Sequence, residues 1–324
     1  MCFLRSALFL AAGLLASTKA SAQFGAPLTP YTVTVVVPER EDVRLAPTLG
    51  GIQAATEELR RRLRLDLHLH IEDYESWPLE SDSTATDGVL MIAPEAPPPA
   101  VAARLRTLDT PGDSGGATTV PLAVVGPAEA WPGRIHASLE PRLFTAQLAE
   151  ALASGLRSFE DDVAIILPEG NGRLAHDFRT RLVEALEARR PGLDLQWYKS
   201  PDEPEAARAV LQRVVADDRR ARLDMIVVLE DAGLATYRPP PWEAGDYTVL
   251  AAFDDLRVLR HFQSGHLNHG LSADRFSLGK AALTALVETI HLGETQTEIP
   301  APPWIEVGAK NVVEFSREWS NWIE

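Results

Sequence analysis

Short, nearly continuous runs of Val, Ile and Leu alternate along this chain with longer stretches whose apolar positions recur every three or four residues. The first pattern predicts buried parallel strands and the second predicts amphipathic helices. Strands are expected at Thr32–Val37, Leu65–Ile71, Gly88–Ile92, Leu122–Val125, Val163–Leu167, Leu193–Trp197, Met225–Leu229, Thr248–Phe253 and Leu267–Leu271. Helices are expected at Leu49–Leu63, Pro98–Leu108, Arg142–Leu156, Leu174–Ala188, Glu205–Asp218, Leu256–Phe262 and Asp274–Leu292. Pro97–Pro99, Pro111–Thr119 and Pro239–Pro241 mark loops. Regular βα alternation over this length predicts an α/β protein of two doubly wound parallel-sheet lobes.

The amino terminus departs from this pattern. Arg5 precedes an apolar run, Ala7–Ala16, and the small-residue site Ala20-Ser21-Ala22 follows. Together they predict a secretory signal peptide over residues 1–22, with the exported chain starting at Gln23. The apolar run is too short to span a membrane. Cys2 is the only cysteine and precedes the apolar run, so it fits no lipoprotein cleavage site. The exported chain then carries no thiol, which excludes a disulfide, a cysteine nucleophile and a cysteine metal site. Formal charge is −15, and loss of Arg5 and Lys19 takes it to −17. That charge disfavours nucleic acid and anionic membranes as partners. Arg60, Arg61, Arg62 and Arg64 fall at a helix C-terminus, where they complement the helix dipole without a ligand.

Tyr247–Gly293 is the most informative segment. An apolar strand ends in Phe253-Asp254, a short helix stops at Gly265, Leu267–Leu271 forms another strand, and an amphipathic helix closes at Gly293. This order and punctuation resemble the last third of type I periplasmic binding proteins, the ribose-binding type of sugar-binding ABC transporter subunits. The ending IEVGAKNVVEFSREW resembles that family's final strand and tail. The resemblance covers nearly all of Tyr31–Trp319 and implies a three-segment hinge between lobes. It divides the chain into an N-terminal lobe, 31–130 plus 274–294, and a C-terminal lobe, 134–272 plus 303–324. Arg134–Ser138, Ser272-Ala273 and the region from Thr295 to Pro303 would cross between them.

Carried over residue by residue, the family's ligand positions are mostly altered. After the first strand, where the family has Asn and aromatic residues, this chain has Glu39, Arg40, Glu41, Asp42 and Val43. Gly126-Pro127 replaces an Asp-Arg pair, and Glu230-Asp231 replaces Asn-Asp. Arg173 or His176 stands near the family's arginine, and Ser272, Ala273 and Asp274 stand where it tends to have Gln. Asp254 alone keeps its type. Expected ligand-binding residues are therefore Asp254, Asp42, His176, Arg173, Glu230 and Asp231, with Trp131 stacking beside the first crossing. Asp254 has an alternative role as a helix cap, although Asp255 is the better cap by spacing. Trp242, in a proline-rich turn, is expected to pack at the surface. The carboxylate-rich set leaves a cationic or a heavily hydroxylated ligand open.

Two other patterns are weaker. Gly170-Asn171-Gly172-Arg173-Leu174-Ala175 fits G-x-G-x-x-A, but the following strand lacks the acidic residue a nicotinamide cofactor's ribose needs. His261, His266 and His269 lie close in sequence without metal-ligand spacing, and surface or hinge roles are expected for them. No catalytic set is visible, so no enzyme, cofactor or metal is expected. The resemblance implies a monomeric periplasmic protein that captures a small polar solute between its lobes and delivers it to an ABC transporter permease. The alternatives are a ligand-sensing subunit for a histidine kinase or chemoreceptor, and an exported α/β enzyme.

Overall fold

The computed structural model describes residues 28–40, 42–77, 86–93, 98–109, 120–126, 135–139, 141–156, 162–169, 172–218, 223–293 and 299–323. The expected signal peptide, Trp131 and the Gly170-Asn171 turn lie outside these residues.

The first sheet contains β1 (Thr29–Val37), β2 (Leu65–Asp73), β3 (Gly88–Ile92), β4 (Leu122–Val125) and β5 (Ile135–Ala137). Its order is β2-β1-β3-β4-β5, parallel throughout. Val33, Val35, Val36 and Val37 are all fully buried, because both faces of β1 are covered. One face carries α1 (Ala46–Leu63) and α7 (Arg275–Leu292), which pack along each other. Ile52, Ala55 and Leu59 of α1 and Leu278, Ala282, Leu283 and Leu286 of α7 share a core with Val33, Val35 and Leu90. The other face is closed over β3 and β4 by Val101 and Leu105 of α2 (Pro99–Asp109), with Trp77.

The second sheet holds β6 (Asp162–Pro168), β7 (Asp194–Ser200), β8 (Leu223–Val228), β9 (Thr248–Ala252), β10 (His269–Ser272) and β11 (Ile305–Gly308), in the order β11-β10-β9-β8-β6-β7. Only β11 runs antiparallel. Leu148 and Leu152 of α3 (Pro141–Gly155) and Leu182 and Leu186 of α4 (Gly172–Glu187) pack on one face. The opposite face receives α5 (Pro204–Asp217), α6 (Leu259–Gln263) and α8 (Val312–Ile323), through residues such as Val210, Phe262, Phe315 and Trp319.

The chain passes between the two lobes after β5, at Ala273-Asp274, and between α7 and β11. Every strand expected from sequence is present. The first passage begins later than the pattern placed it, because Ile135–Ala137 pairs in parallel with β4 as a strand of the first lobe. The expected C-terminal tail contains a twelve-residue helix, α8, whose Val312, Phe315 and Trp319 are buried. Trp242 is not a surface residue: it is 5% exposed, and its Nε1–H donates to the carbonyl of His266 at 3.0 Å. Nor is His261 at the surface or in a hinge. It is buried in the second lobe, with Nε2 2.8 Å from the Leu234 carbonyl, and burial lowers its pKa.

The α1–α7 contact explains two glycines. A Cβ at Gly51 would lie 2.0 Å from the Phe276 carbonyl oxygen, and one at Gly279 would lie 2.3 Å from that of Thr48. The two backbones meet where neither helix carries a side chain, which joins α7 to the first lobe as a rigid unit.

Candidate interlobe cleft

In a parallel sheet the carboxyl ends of the strands share one edge, and open α/β folds bind ligands there. Asp42 follows β1, Glu230 and Asp231 follow β8, Asp254 and Asp255 follow β9, and Arg275 opens α7 just beyond β10.

Asp254 is the residue most directly engaged. Its Oδ1 accepts from Nε of Arg275 at 3.2 Å, and its Oδ2 from Nη2 at 2.5 Å. This is a two-point guanidinium–carboxylate pair, with the side chains 23% and 35% exposed. Asp254 is not a helix cap. That role belongs to Asp255, whose Oδ1 accepts from the backbone N–H of Arg257 at 2.8 Å. The Asp254 carboxylate, first among its causes, raises the pKa of Arg275 above its ordinary value.

Asp231 lies behind this pair. A single oxygen, Oδ2, accepts from the backbone N–H groups of Asp254 at 2.8 Å and Asp255 at 3.1 Å. Burial pushes its pKa up to about 6, and the Asp254 and Asp255 charges act in the same direction against the two hydrogen bonds. Glu230 caps a short 3-10 turn by accepting from the Ala232 N–H at 3.2 Å, and burial raises its pKa too.

Asp42 comes from the first lobe. It binds Arg44 through the backbone N–H at 2.9 Å and through the guanidinium, at 3.0 and 3.1 Å to Nε and 2.8 Å to Nη2. Burial works to raise the Asp42 pKa, but the Arg44 hydrogen bonds outweigh it and hold the value low. Arg44 lies within electrostatic reach of Asp231 and Asp254, and Arg275 within reach of Asp42. Among these groups the direct contact between the lobes is the Arg275–Asp254 pair.

Arg44, Arg257 and Arg275 were missed in the sequence. A local signal was present for two of them. Asp42-Val43-Arg44-Leu45 and Asp255-Leu256-Arg257-Val258 are the same pattern, one in each lobe, each built around a 3-10 turn. In both, the aspartate accepts from the backbone and the guanidinium of the arginine two residues on. Nothing local marks Arg275, whose partner lies 21 residues away.

Arg173 and His176 fall in the first turns of α4, after β6, but their side chains are outside the described residues, as is all of Trp131. Ser272 ends β10 and is fully buried. Among the described residues no cluster of His, Cys, Asp and Glu is arranged to hold a metal ion, and no helix is long and apolar enough to cross a membrane.

No family model matches this chain, and no curated protein matches it. Solved structures do. The arabinose-binding protein AraP of Geobacillus stearothermophilus is 16% identical, with a TM-score of 0.63 over 89% of this chain and 99% of its own. A periplasmic ribose ABC transporter protein of Conexibacter woesei is 14% identical, with a TM-score of 0.63 over 93% of this chain and 99% of that one. A protein assigned as a LacI transcriptional regulator of Bacteroides fragilis is 12% identical, with a TM-score of 0.63 over 88% and 99%. What is common at these identities is the architecture: this chain has the two-lobed α/β fold of the type I periplasmic sugar-binding proteins.

Proposed function

We propose that this protein is an exported solute receptor. It takes a small polar solute between its lobes and presents the loaded form to the permease of an ABC transporter. The observation that carries this reading is the ion pair of Arg275, on a helix of the first lobe, with Asp254, at the carboxyl end of β9 in the second. Asp42, Arg44 and Arg275 come from the first lobe, and Asp231 and Asp254 from the second. A solute that touches both lobes favours the arrangement in which they are close, by its difference in affinity for the two states. The arabinose-binding protein and the ribose ABC transporter protein matched above support the same role, and the net charge of −15 disfavours a DNA-bound regulator on this fold.

The state of the carboxylates bears on the solute. Asp254 and Asp42 each already hold an arginine. Asp42 is fully used by Arg44, but each Asp254 oxygen accepts one bond from Arg275 and keeps a lone pair, beside arginine N–H groups not used in the pair. A hydroxyl group both donates and accepts, so a neutral polyhydroxy solute fits better than a bare cation.

The test is calorimetric titration of the protein with D-ribose, L-arabinose, myo-inositol, D-gluconate and putrescine. A saturable signal from a polyol or sugar that Asp254→Asn weakens about tenfold or more supports the reading. Absence of saturable binding by the whole panel counts against it. Export is tested by sequencing the amino terminus of secreted protein. A start at Gln23 is expected, and an intact Met1 or a lipid on Cys2 refutes it. Solute-dependent stimulation of a permease ATPase, as opposed to a kinase, separates transport from sensing.

A further inference from the structure

The Asp254–Arg275 pair joins two bodies that are each rigid. Arg275 is the first residue of α7, which is locked to α1 at the glycine contacts and packs on β3, β4 and β5. Its helix is also capped, with Asp274 Oδ1 accepting from the Ser277 N–H at 2.9 Å. Asp254 follows β9, a central strand of the other sheet, and its backbone is pinned by Asp231 at 2.8 Å. The pair sits beside the second of the three passages, Ala273-Asp274, where Arg275 N–H donates to the Ala273 carbonyl at 2.8 Å. Two parallel hydrogen bonds fix the angle between the groups as well as their distance. Arg44 adds attraction across the same gap, since Asp231 and Asp254 both lie within its reach.

We infer that Arg275 is a positioning residue that latches the lobes: its pair with Asp254 holds them in the arrangement seen here when no solute is present. The latch needs nothing from a ligand. It stands on the geometry of the pair and on which lobe each partner belongs to, so it survives if the solute reading fails. It changes what binding does. A solute then shifts the balance of lobe arrangements from one that the pair already favours.

Small-angle scattering on solute-free protein, unfolded and refolded to strip any bound molecule, tests the latch. The wild type should be compact. Arg275→Met and Asp254→Asn should each raise the radius of gyration, by roughly 1 Å on a value of about 19 Å for a compact chain of this length. The charge-exchanged double variant, Asp254→Arg with Arg275→Asp, should return to the compact value. That rescue separates a latch from general loosening, which exchanged charges would not repair. Asp254→Asn nearly preserves side-chain shape and carries the test if Arg275→Met fails to fold. An open wild type overturns the latch. So does a folded Asp254→Asn variant as compact as the wild type, or an exchanged pair that stays open.

Discussion

Replacing Asp231 by Asn should make the protein more stable above about pH 6. The carboxyl group is buried, with Asp254 and Asp255 beside it, and its pKa is pushed up to about 6 from an ordinary 3.8. An acid whose pKa is higher in the folded state holds more protons there than in the unfolded state, between the two values. Stability therefore falls as pH rises from about 4 to about 6, and the loss is complete above that window. The gap of about two pKa units corresponds to at most about 3 kcal/mol, at 1.36 kcal/mol per unit. Asparagine removes the charge and keeps the bonds, because both backbone N–H groups end on one oxygen, which the amide carbonyl can replace. The expected gain at pH 8 is about 1–3 kcal/mol, shrinking towards zero near pH 4. Urea unfolding of wild type and variant at half-unit pH steps gives the difference, in which the titration of groups not coupled to Asp231 cancels. Glu230, raised by burial and in part by the Asp231 charge, is relieved by the same substitution and adds to the gain with the same sign, while Arg44 and Arg257 stay charged throughout. A difference that does not vary with pH, or a variant less stable at pH 8 than the wild type, would refute the assignment.

Gly279→Ala should lower the urea midpoint, with a net cost of about 1–2 kcal/mol, since the added methyl meets the Thr48 carbonyl and the helix preference of alanine offsets only part of it. Gly88→Ala should cost less than half as much, because its close neighbours are the flexible ends of Ile290 and Leu286. Trp242→Phe should cost about 1–2 kcal/mol, read in the same assay, by leaving the His266 carbonyl without its donor.

How much was legible beforehand follows from the range of each interaction. Runs such as Val163–Leu167 and Met225–Val228 are buried on both faces, so composition alone marks them as parallel strands. Ile135–Ala137 was missed because three residues with a histidine in the middle make no run; only pairing with β4 makes them a strand. The helix α8 did carry a signal. Val312, Phe315 and Trp319 recur at helical spacing, a periodicity that the likeness to a strand and tail does not use. In the cleft, acidic residues at strand ends could be named because strand ends are visible in sequence. Their partners could not. Asp254 takes its role from Arg275, which reaches it only after α7 has packed on the other lobe.

That pairing also sets which solutes the cleft can accept. An ammonium group binding Asp254 would have to displace Arg275 or share the carboxylate with it. Displacement leaves Arg275, whose side chain is only 23% exposed, without its partner. Stranding a fully buried charge costs about 3–5 kcal/mol, and partial exposure reduces this to on the order of 2 kcal/mol. Sharing meets like-charge repulsion from Arg275, with Arg44 close enough to add to it. A neutral hydroxyl avoids both costs, since it can donate to a lone pair of the paired carboxylate and accept from an unused guanidinium N–H. The difference amounts to about thirtyfold in affinity against amines. Arg275→Met removes the competing cation and leaves Asp254 in place. Putrescine or D-glucosamine should then gain affinity relative to myo-inositol or D-ribose by about that factor in calorimetric titrations of the two proteins. An amine preference already present in the wild type, or a ratio that Arg275→Met leaves unchanged, would mean that Arg275 does not select the charge of the solute.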